Sequence, residues 1–195
     1  MHGLINRSLQ CFMRDTYGQD MWGIVAASAG APLAGFEALM LYDDAMTERL
    51  LAASVQHLEK PRSVILEDIG TYIVSHPHLE PVRRLLRFGG DNFTEFLVSL
   101  DDLPERAALA VPDLELPQFD VRVHSRLRFT LNSRFRFPGH GFVMVGILRA
   151  MADDYGVLAV TDHIGGQSCT ETVSIQMLET QFSTGRAFDL SVGAA

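Results

Sequence analysis

The chain has 195 residues, of which 47% are hydrophobic, and it carries 16 basic and 24 acidic residues for a net charge of −8. A chain of this length can bury one sizeable core, and its composition is that of a globular protein. The excess of acidic groups would repel a phosphate backbone, so nucleic acid is not an expected partner.

Neither a membrane span nor a disulfide framework is expected. The first 18 residues lack the apolar core and the cleavage site of a signal peptide. No apolar run approaches the roughly 18 to 20 residues that cross a bilayer. We therefore expect a cytoplasmic protein that does not bind membranes. Cys11 and Cys169 lie far apart and belong to no metal-binding pattern, which predicts two buried thiols.

Apolar residues repeat at helical spacing through the first two thirds of the chain. Segment 3–18 has one apolar face, and the segment that follows Pro61 repeats the pattern with a proline where a helix start tolerates it. Between them, segment 44–59 is predicted as a helix with Asp44 as its N-terminal cap. The lone tryptophan, Trp22, falls in a second helix and favours a place in the core.

Proline interrupts the next predicted helix, which begins after two glycines with Asp91 as its cap. Its apolar residues fall on one helical face: Phe93, Phe96, Leu97 and Leu100. Pro104 lacks an N–H and would clash with a carbonyl one turn earlier, so the helix is predicted to break there. Asp101 or Asp102 would then cap a new turn through 105–110.

Beyond Pro117 the apolar period changes from about 3.6 residues to 2, which predicts strands. The predicted segments are strands 120–125 and 126–131, an apolar helix 139–156, and strands 157–162 and 171–178. This order indicates an α+β fold in which an N-terminal helical subdomain packs on a C-terminal antiparallel sheet, with one long helix inserted between the strand pairs.

We expect a single domain over residues 1–181. Its helical part would extend to about residue 116 and its sheet-containing part from about 117 to 181, followed by a tail over 182–195. The sequence shows no internal repeat and no low-complexity linker.

Four short motifs occur in a characteristic order. They are the start M-x-G-x-x-N, the Tyr-Asp-Asp at 42–44, the Leu-Asp-x-Leu at 100–103, and Pro117 followed by the aromatic Phe119. In this order and spacing they resemble the H-NOX domain, the heme nitric-oxide/oxygen binding domain, over nearly the whole chain. The resemblance implies a heme-based sensory domain rather than an enzyme. Family members control a cyclase, a histidine kinase or a chemotaxis receptor.

The resemblance also implies where heme would be held. A histidine directly after Leu-Asp-x-Leu ligates the iron in the family, and this position is Pro104 here. Proline offers no electron pair, whereas heme iron needs a ligand such as an imidazole, thiolate, thioether or phenolate. Pro117 matches the family's proline beside the heme.

A Tyr-x-Ser-x-Arg motif before the late helix holds the heme propionates in the family. Ser133, Phe135 and Phe137 occupy the three matching positions, and two phenyl rings offer neither a hydroxyl nor a guanidinium group. A register slip of one residue would instead turn Arg134 and Arg136 inward, where they could hold carboxylates. The sequence favours the register without the slip.

The distal side of the family's heme pocket matches Ile5 and Val143, both apolar. In the family, a tyrosine at the second position favours oxygen, so an apolar pair resembles the type that selects NO. His140, which is flanked by glycines, is the candidate substitute ligand for iron. His76 and His78 are two residues apart and could bind a metal with Glu80, although a surface loop at a helix end is the favoured interpretation, and no metal site is predicted.

Three functional hypotheses result. The first is a heme-free H-NOX-like module that acts by protein–protein contact in cytoplasmic signalling, with a separate cyclase, histidine kinase or chemotaxis receptor as partner, or a second copy of the chain. The second is a heme sensor with His140 as axial ligand and Arg134 or Arg136 on the propionates. The third is a module that binds another apolar ligand, such as a different tetrapyrrole. Aspartate pairs lie at predicted helix boundaries, where carboxylates cap helices, so no catalytic site is predicted.

Overall fold

The computed structural model describes residues 1–167 and 169–178. The predicted boundary at 181 and the predicted tail 182–195 lie outside these residues. Within them, no helix is both long enough and apolar enough to cross a membrane. The helices are α1 (Gly3–Tyr17), α2 (Gln19–Ala29), α3 (Asp44–Leu58), α4 (Arg62–Ser75), α5 (Glu80–Arg87), α6 (Phe93–Val98), α7 (Leu103–Ala110) and α8 (His140–Asp154), with 3-10 turns at Pro77–Leu79 and Ser99–Asp102. The strands are β1 (Gln118–Ser125), β2 (Arg128–Arg134), β3 (Ala159–Gln167) and β4 (Thr170–Met177).

The strands form one antiparallel sheet in the order β1-β2-β4-β3. Helix α8 lies in the chain between the two strand pairs, so the predicted α+β architecture is confirmed. One face of the sheet is apolar and buried because side chains alternate along a strand. Its buried residues include Phe129, Leu131, Val173, Ile175 and Met177.

Helix α8 lies between two apolar cores. The sheet core joins the inner face of the sheet to α6, α7 and the residues Met144, Val145 and Leu148 of α8. The helical core is built from α1 to α4 and contains the fully buried Trp22, as its position in the second helix predicted. Val143 of α8 packs against this second core. Burial on both sides explains why the sequence of α8 is apolar around most of its circumference.

Two glycines set the distance between α4 and α8. A Cβ atom on Gly70 would overlap the carbonyl oxygen of Val143, and a Cβ on Gly146 would overlap the carbonyl oxygen of Glu67. The backbones of the two helices are therefore in direct contact, which any larger residue at either position prevents.

A carboxylate from the sheet holds the N-terminus of α8. Gly139, with φ of +89°, precedes the helix, and its N–H donates to the Glu171 carboxylate over 2.5 Å. The N–H of Gly141 donates to the other carboxylate oxygen over 2.8 Å, and His163 Nε2 lies 3.1 Å from that oxygen. A negative charge at a helix N-terminus is stabilising because unpaired N–H groups point toward it.

Three local predictions differ from the structure. The cap of α3 is Asp43, whose carboxylate accepts from the N–H of Ala45 over 3.0 Å, and Asp44 is the first helical residue. The cap of α6 is Asn92 rather than Asp91. Cys11 is half-buried and Cys169 is exposed between β3 and β4, so the expectation of two buried thiols is wrong.

The helix contact predicts that Gly146→Ala destabilises the fold. A methyl group at this position must push α4 and α8 apart, and overpacking of this kind costs about 1 to 3 kcal/mol. Urea unfolding followed by circular dichroism measures the change in free energy. The matched control is Gly23→Ala in α2, where a Cβ would meet no atom within 4 Å. Equal stability of the two variants would contradict the backbone contact.

The contact between the Glu171 carboxylate and the N-terminus of α8 predicts that Glu171→Gln lowers the free energy of unfolding by about 1 to 2 kcal/mol. The substitution removes the negative charge that stabilises this helix end. Glu37→Gln, at an exposed loop position, removes the same charge without this contact and serves as the control. Thermal unfolding of both variants checks the difference, and a Glu171→Gln variant as stable as the control would refute the anchoring role.

Candidate functional site

The interrupted helix lies where the sequence predicts it. Helix α6 ends at Val98, a 3-10 turn follows, and α7 begins at Leu103 with Pro104 in its first turn. Asp102 occupies the N-cap position of α7, as predicted, but its side chain makes no capping bond. The Asp101 carboxylate instead accepts from the N–H of Val121 over 3.1 Å and ties the turn to β1. Burial raises the pKa of this carboxyl group.

Pro104 is half-buried and borders a solvent-open cleft of about 670 Å³. The cleft lies between α7, the segment that leads into β1, and the end of β2. Its surface is mainly apolar, with Arg134 and Arg136 at its border. The lining also includes Ala108, Leu114, Leu116, Phe135 and the exposed Cys169.

The leucines that flank this turn in the chain are buried in the core. Leu100 and Leu103, on either side of the turn, are 0% and 6% exposed. They belong to the same continuous core as Met144 and Leu148 of α8. The interrupted helix and α8 are thus joined by close-packed apolar side chains, as protein interiors generally are.

Ser133, Phe135 and Phe137 follow one another along the end of β2 and the segment before α8. Ser133 is fully buried, and its hydroxyl donates to the main-chain oxygen of Glu171 over 3.2 Å. Phe135 is half-buried and meets the ring of His140 edge-on at 5.9 Å. Phe137 packs against the helical core, with the Arg62 guanidinium 5.5 Å from its ring centre. None of these three side chains carries a cationic group that could hold a heme propionate.

The register of β2 turns both candidate arginines outward. Ser133 pairs with Phe119 across the β1–β2 ladder and points into the core, while Arg134 and Arg136 are exposed. The inward slip is not adopted. Arg136 forms ion pairs with Asp44, over 2.8 Å, and with Glu115.

His140 is the first residue of α8 and is 5% exposed. Its Nδ1 lies 2.7 Å from the main-chain oxygen of Phe137, and its Nε2 lies 3.1 Å from that of Ser133. Both ring nitrogens therefore face a carbonyl oxygen at hydrogen-bonding distance, and neither faces a space that a metal ion could enter.

The remaining predicted residues are not gathered at the cleft. Ile5, on α1, and Pro117, before β1, are both half-buried, and neither lines it. Val143 packs in the helical core on the far side of α8. The structure thus brings Pro104 and Phe135 together and leaves the two distal positions apart from them.

The His76 and His78 rings lie 5.2 Å apart, but they do not form a metal site with Glu80. His76 stacks on Tyr72, and the Glu80 carboxylate pairs with Arg84 over 2.8 Å. Across residues 1–167 and 169–178, no group of three or more His, Cys, Asp and Glu side chains could hold a metal ion.

A charge network beside the cleft was not predicted. The Met1 amino group donates to the Asp44 carboxylate over 2.5 Å, and the other oxygen of that carboxylate accepts from Arg136 over 2.8 Å. Arg136 in turn pairs with Glu115 at the border of the cleft. The hydrogen bond from Arg136, followed by that from the amino group, lowers the pKa of Asp44 from 3.8 to about 2. No local sequence signal could reveal this network, because Asp44 and Arg136 are 92 residues apart.

The network predicts a pH-dependent difference in stability between the wild type and Asp44→Asn. Because the pKa of Asp44 is lower in the folded state, its contribution is complete well above 3.8 and is lost as the pH falls toward 2. The carboxylate is 44% exposed, so we expect the contribution to stay below about 1 kcal/mol.

Urea midpoints of the two proteins between pH 7 and pH 2.5 measure this difference. The gap should be constant above about pH 5 and should close as the carboxylate is protonated. A gap that persists unchanged at the acid end would contradict the ion pairing. Asp43→Asn, which changes the neighbouring helix cap, is the matched control.

Comparison with known proteins agrees with the architecture. The family model described as haem-NO-binding, HNOB, matches residues 2–161. The soluble guanylate cyclase gcy-31 of Caenorhabditis elegans is 25% identical over 154 residues, which are 79% of this chain and 22% of that protein. The chain thus spans only a small part of the length of this curated relative.

Solved H-NOX structures share the fold at low sequence identity. An H-NOX protein from S. oneidensis in the Fe(II)NO ligation state is 15% identical, with a TM-score of 0.76 over 92% of this chain and 100% of that chain. A variant of T. tengcongensis H-NOX is 16% identical, with a TM-score of 0.76 over 93% of this chain and 100% of that one. The match of the family model over most of the chain, together with this shared fold, shows that the chain belongs to the haem-NO-binding, or H-NOX, family.

Proposed function

We propose that this chain is a heme-free H-NOX domain that acts by protein–protein contact in cytoplasmic signalling and has no catalytic activity of its own. The observation that carries the proposal is Pro104. When the chain is aligned with the family by the Leu-Asp-x-Leu motif, Pro104 takes the place of the family's iron-ligating histidine. Its side chain has no atom that can coordinate iron.

The surroundings of Pro104 support the same conclusion. Leu100 and Leu103 pack into the core that contains Met144 and Leu148, so side chains fill the space between the interrupted helix and α8. A porphyrin placed there would have to displace a close-packed core, and that displacement is costly. The residues present do not fit a heme.

The propionate side of the site is also unsuited to heme. The aligned positions carry a serine whose hydroxyl already donates to a main-chain oxygen and two phenylalanines. Arg134 and Arg136 point to solvent, and Arg136 is engaged by Asp44 and Glu115. A buried pair of carboxylates without cationic or hydroxyl partners would be strongly unfavourable.

A substitute axial ligand has little support. His140 would have to give up two main-chain contacts, at 2.7 Å and 3.1 Å, before either ring nitrogen could reach iron. The heme-sensor alternative therefore requires both a rearranged His140 and a rearranged core.

We propose a signalling protein, or a second copy of the chain, as the partner. The guanylate cyclase that resembles this chain is much longer, and the match covers 22% of it. We propose that the domain biases an effector of the cyclase, histidine kinase or chemotaxis receptor type through surface contacts. Differential binding to two states of such an effector is sufficient for regulation.

One observation favours a second candidate function. The cleft beside Pro104 has apolar walls from Leu114, Leu116 and Phe135, with Arg134 at its border, which suits an apolar molecule that carries a carboxylate. Thermal-shift measurements with such molecules, including heme precursors, test this candidate, because a ligand specific to the native state raises the unfolding temperature. Unchanged unfolding temperatures across the set would rule it out.

The heme-free proposal predicts a colourless protein. After expression with added heme precursor, the purified chain should show no Soret band, and a hemochrome assay should find far less than one heme per chain. His140→Ala should give the same spectrum. The S. oneidensis H-NOX protein, prepared in parallel, is the positive control because its structure holds an Fe(II)NO group.

The variant Pro104→His distinguishes two reasons for the absence of heme: a missing iron ligand and a cavity filled by side chains. Because the core behind Pro104 is packed and the propionate partners are absent, we expect this variant to remain colourless. A wild-type Soret band near one heme per chain would overturn the heme-free proposal. A band that appears only with Pro104→His would show instead that the cavity persists and only the ligand is missing.

A further inference from the structure

Six of the 16 basic residues of this acidic chain lie in one stretch that has no acidic residue. Between residues 121 and 152 the sequence contains six arginines and no aspartate or glutamate, although the whole chain has a net charge of −8. Four of these arginines lie on β1, β2 and the turn between them: Arg122, Arg126, Arg128 and Arg134. We name this group the basic hairpin.

The strand register places the basic hairpin on the face of the sheet opposite the core. Along β2, Phe129, Leu131 and Ser133 are buried, so the alternate residues Arg128 and Arg134 point outward, and both are exposed. Arg122 lies opposite Thr130 on the same outer face. Arg126 is exposed in the turn.

Three of the four guanidinium groups have no partner among the residues that the structure describes. Arg122 pairs with Asp120 over 3.0 Å. Arg126, Arg128 and Arg134 form no hydrogen bond or ion pair with any residue of 1–167 or 169–178. No residue in the described ranges therefore competes with an outside group for these donors.

The outer face around the basic hairpin is polar and almost without negative charge. Its neighbouring side chains are mainly hydroxyl and amide groups: Thr130, Asn132, Thr172, Ser174 and Gln176. Asp120 is held by Arg122 and Asn132, over 3.0 Å each, which leaves Asp162 on β3 as the other carboxylate of this face among the described residues. The exposed Val160 lies on the same face, opposite Gln176. In the described part of the chain the face thus has a local excess of positive charge.

We infer that the basic hairpin and the outer sheet face dock an acidic, polar segment of the signalling partner. The inference rests on the proposed function, since it names the chemistry of the contact that the function requires. Guanidinium groups pair with carboxylates through two parallel hydrogen bonds, and the uncharged groups between them suit a peptide backbone. The separation of charge within the chain also orients an acidic partner before contact.

A protein partner suits this face better than a nucleic acid does. The net charge of −8 repels a long polyanion, whereas a short acidic segment interacts mainly with the basic hairpin itself. The outer positions of β1 and β2 carry no Phe, Tyr or Trp on which bases could stack.

The test is the binding of a fluorescein-labelled 12-residue peptide of alternating glutamate and serine, measured by fluorescence anisotropy at low salt. The variant Arg128→Gln/Arg134→Gln removes two unpaired cations from the basic hairpin. The control Arg7→Gln/Arg14→Gln makes the same change of net charge at exposed positions of α1. We expect Kd to rise about five-fold or more in the first variant and to change little in the second.

Three results would overturn the inference: no binding of the peptide to the wild type, equal weakening by the control variant, or tighter binding of a single-stranded oligonucleotide of the same charge. Thermal unfolding of each variant checks that the fold is intact. The visible spectrum of the same sample separates the two proposals. A Soret band in a protein that binds the peptide would contradict the heme-free proposal alone. A colourless protein that does not bind the peptide would contradict the docking inference alone.

Discussion

The backbone contact between α4 and α8 is the constraint on which the other features depend. Gly70 and Gly146 allow the two helices to touch without intervening side chains, and α8 is thereby fixed against the helical half of the molecule. The other side of α8 packs in the sheet core through Met144, Val145 and Leu148. A helix held on both sides cannot move outward to admit a ligand without breaking one of two cores. The Glu171 carboxylate adds a third restraint at the N-terminus of the helix.

If the chain holds no heme, as we propose, this arrangement explains how the family's fold is stabilised in its absence. In a heme-binding domain the cofactor itself fills part of the interior. Here the interrupted helix contributes Leu100 and Leu103 to the core, and apolar side chains make the contacts that stabilise the fold. The heme-free domain that we propose would need no cofactor in order to fold, and its signalling role would depend on its surface.

Much of the fold follows from the sequence, because periodicity reports burial directly. The switch of apolar period after Pro117 and the break near Pro104 both depend on local chemistry. The strands begin where predicted, whereas the helix ends at Val98, before the predicted break. The caps of α3 and α6 differ by one residue because adjacent Asp or Asn residues compete for each position. Contacts with residues distant in sequence decide which of the two caps the helix. Asp44, for example, pairs with Arg136. The outward turn of the arginines follows from the register that the alternating pattern favoured, whereas the cleft depends on tertiary contacts that no local pattern contains.

The interrupted helix also covers one edge strand of the sheet. Strands β1 and β3 are the two edges, and unpaired N–H groups on an edge invite another chain to add a strand. The turn at Ser99–Asp102 lies against β1, where Asp101 takes up the N–H of Val121. On the other edge, β3 carries an irregularity between His163 and Gly165. The turn that precedes Pro104 thus covers part of the β1 edge and hinders strand addition by a neighbouring molecule.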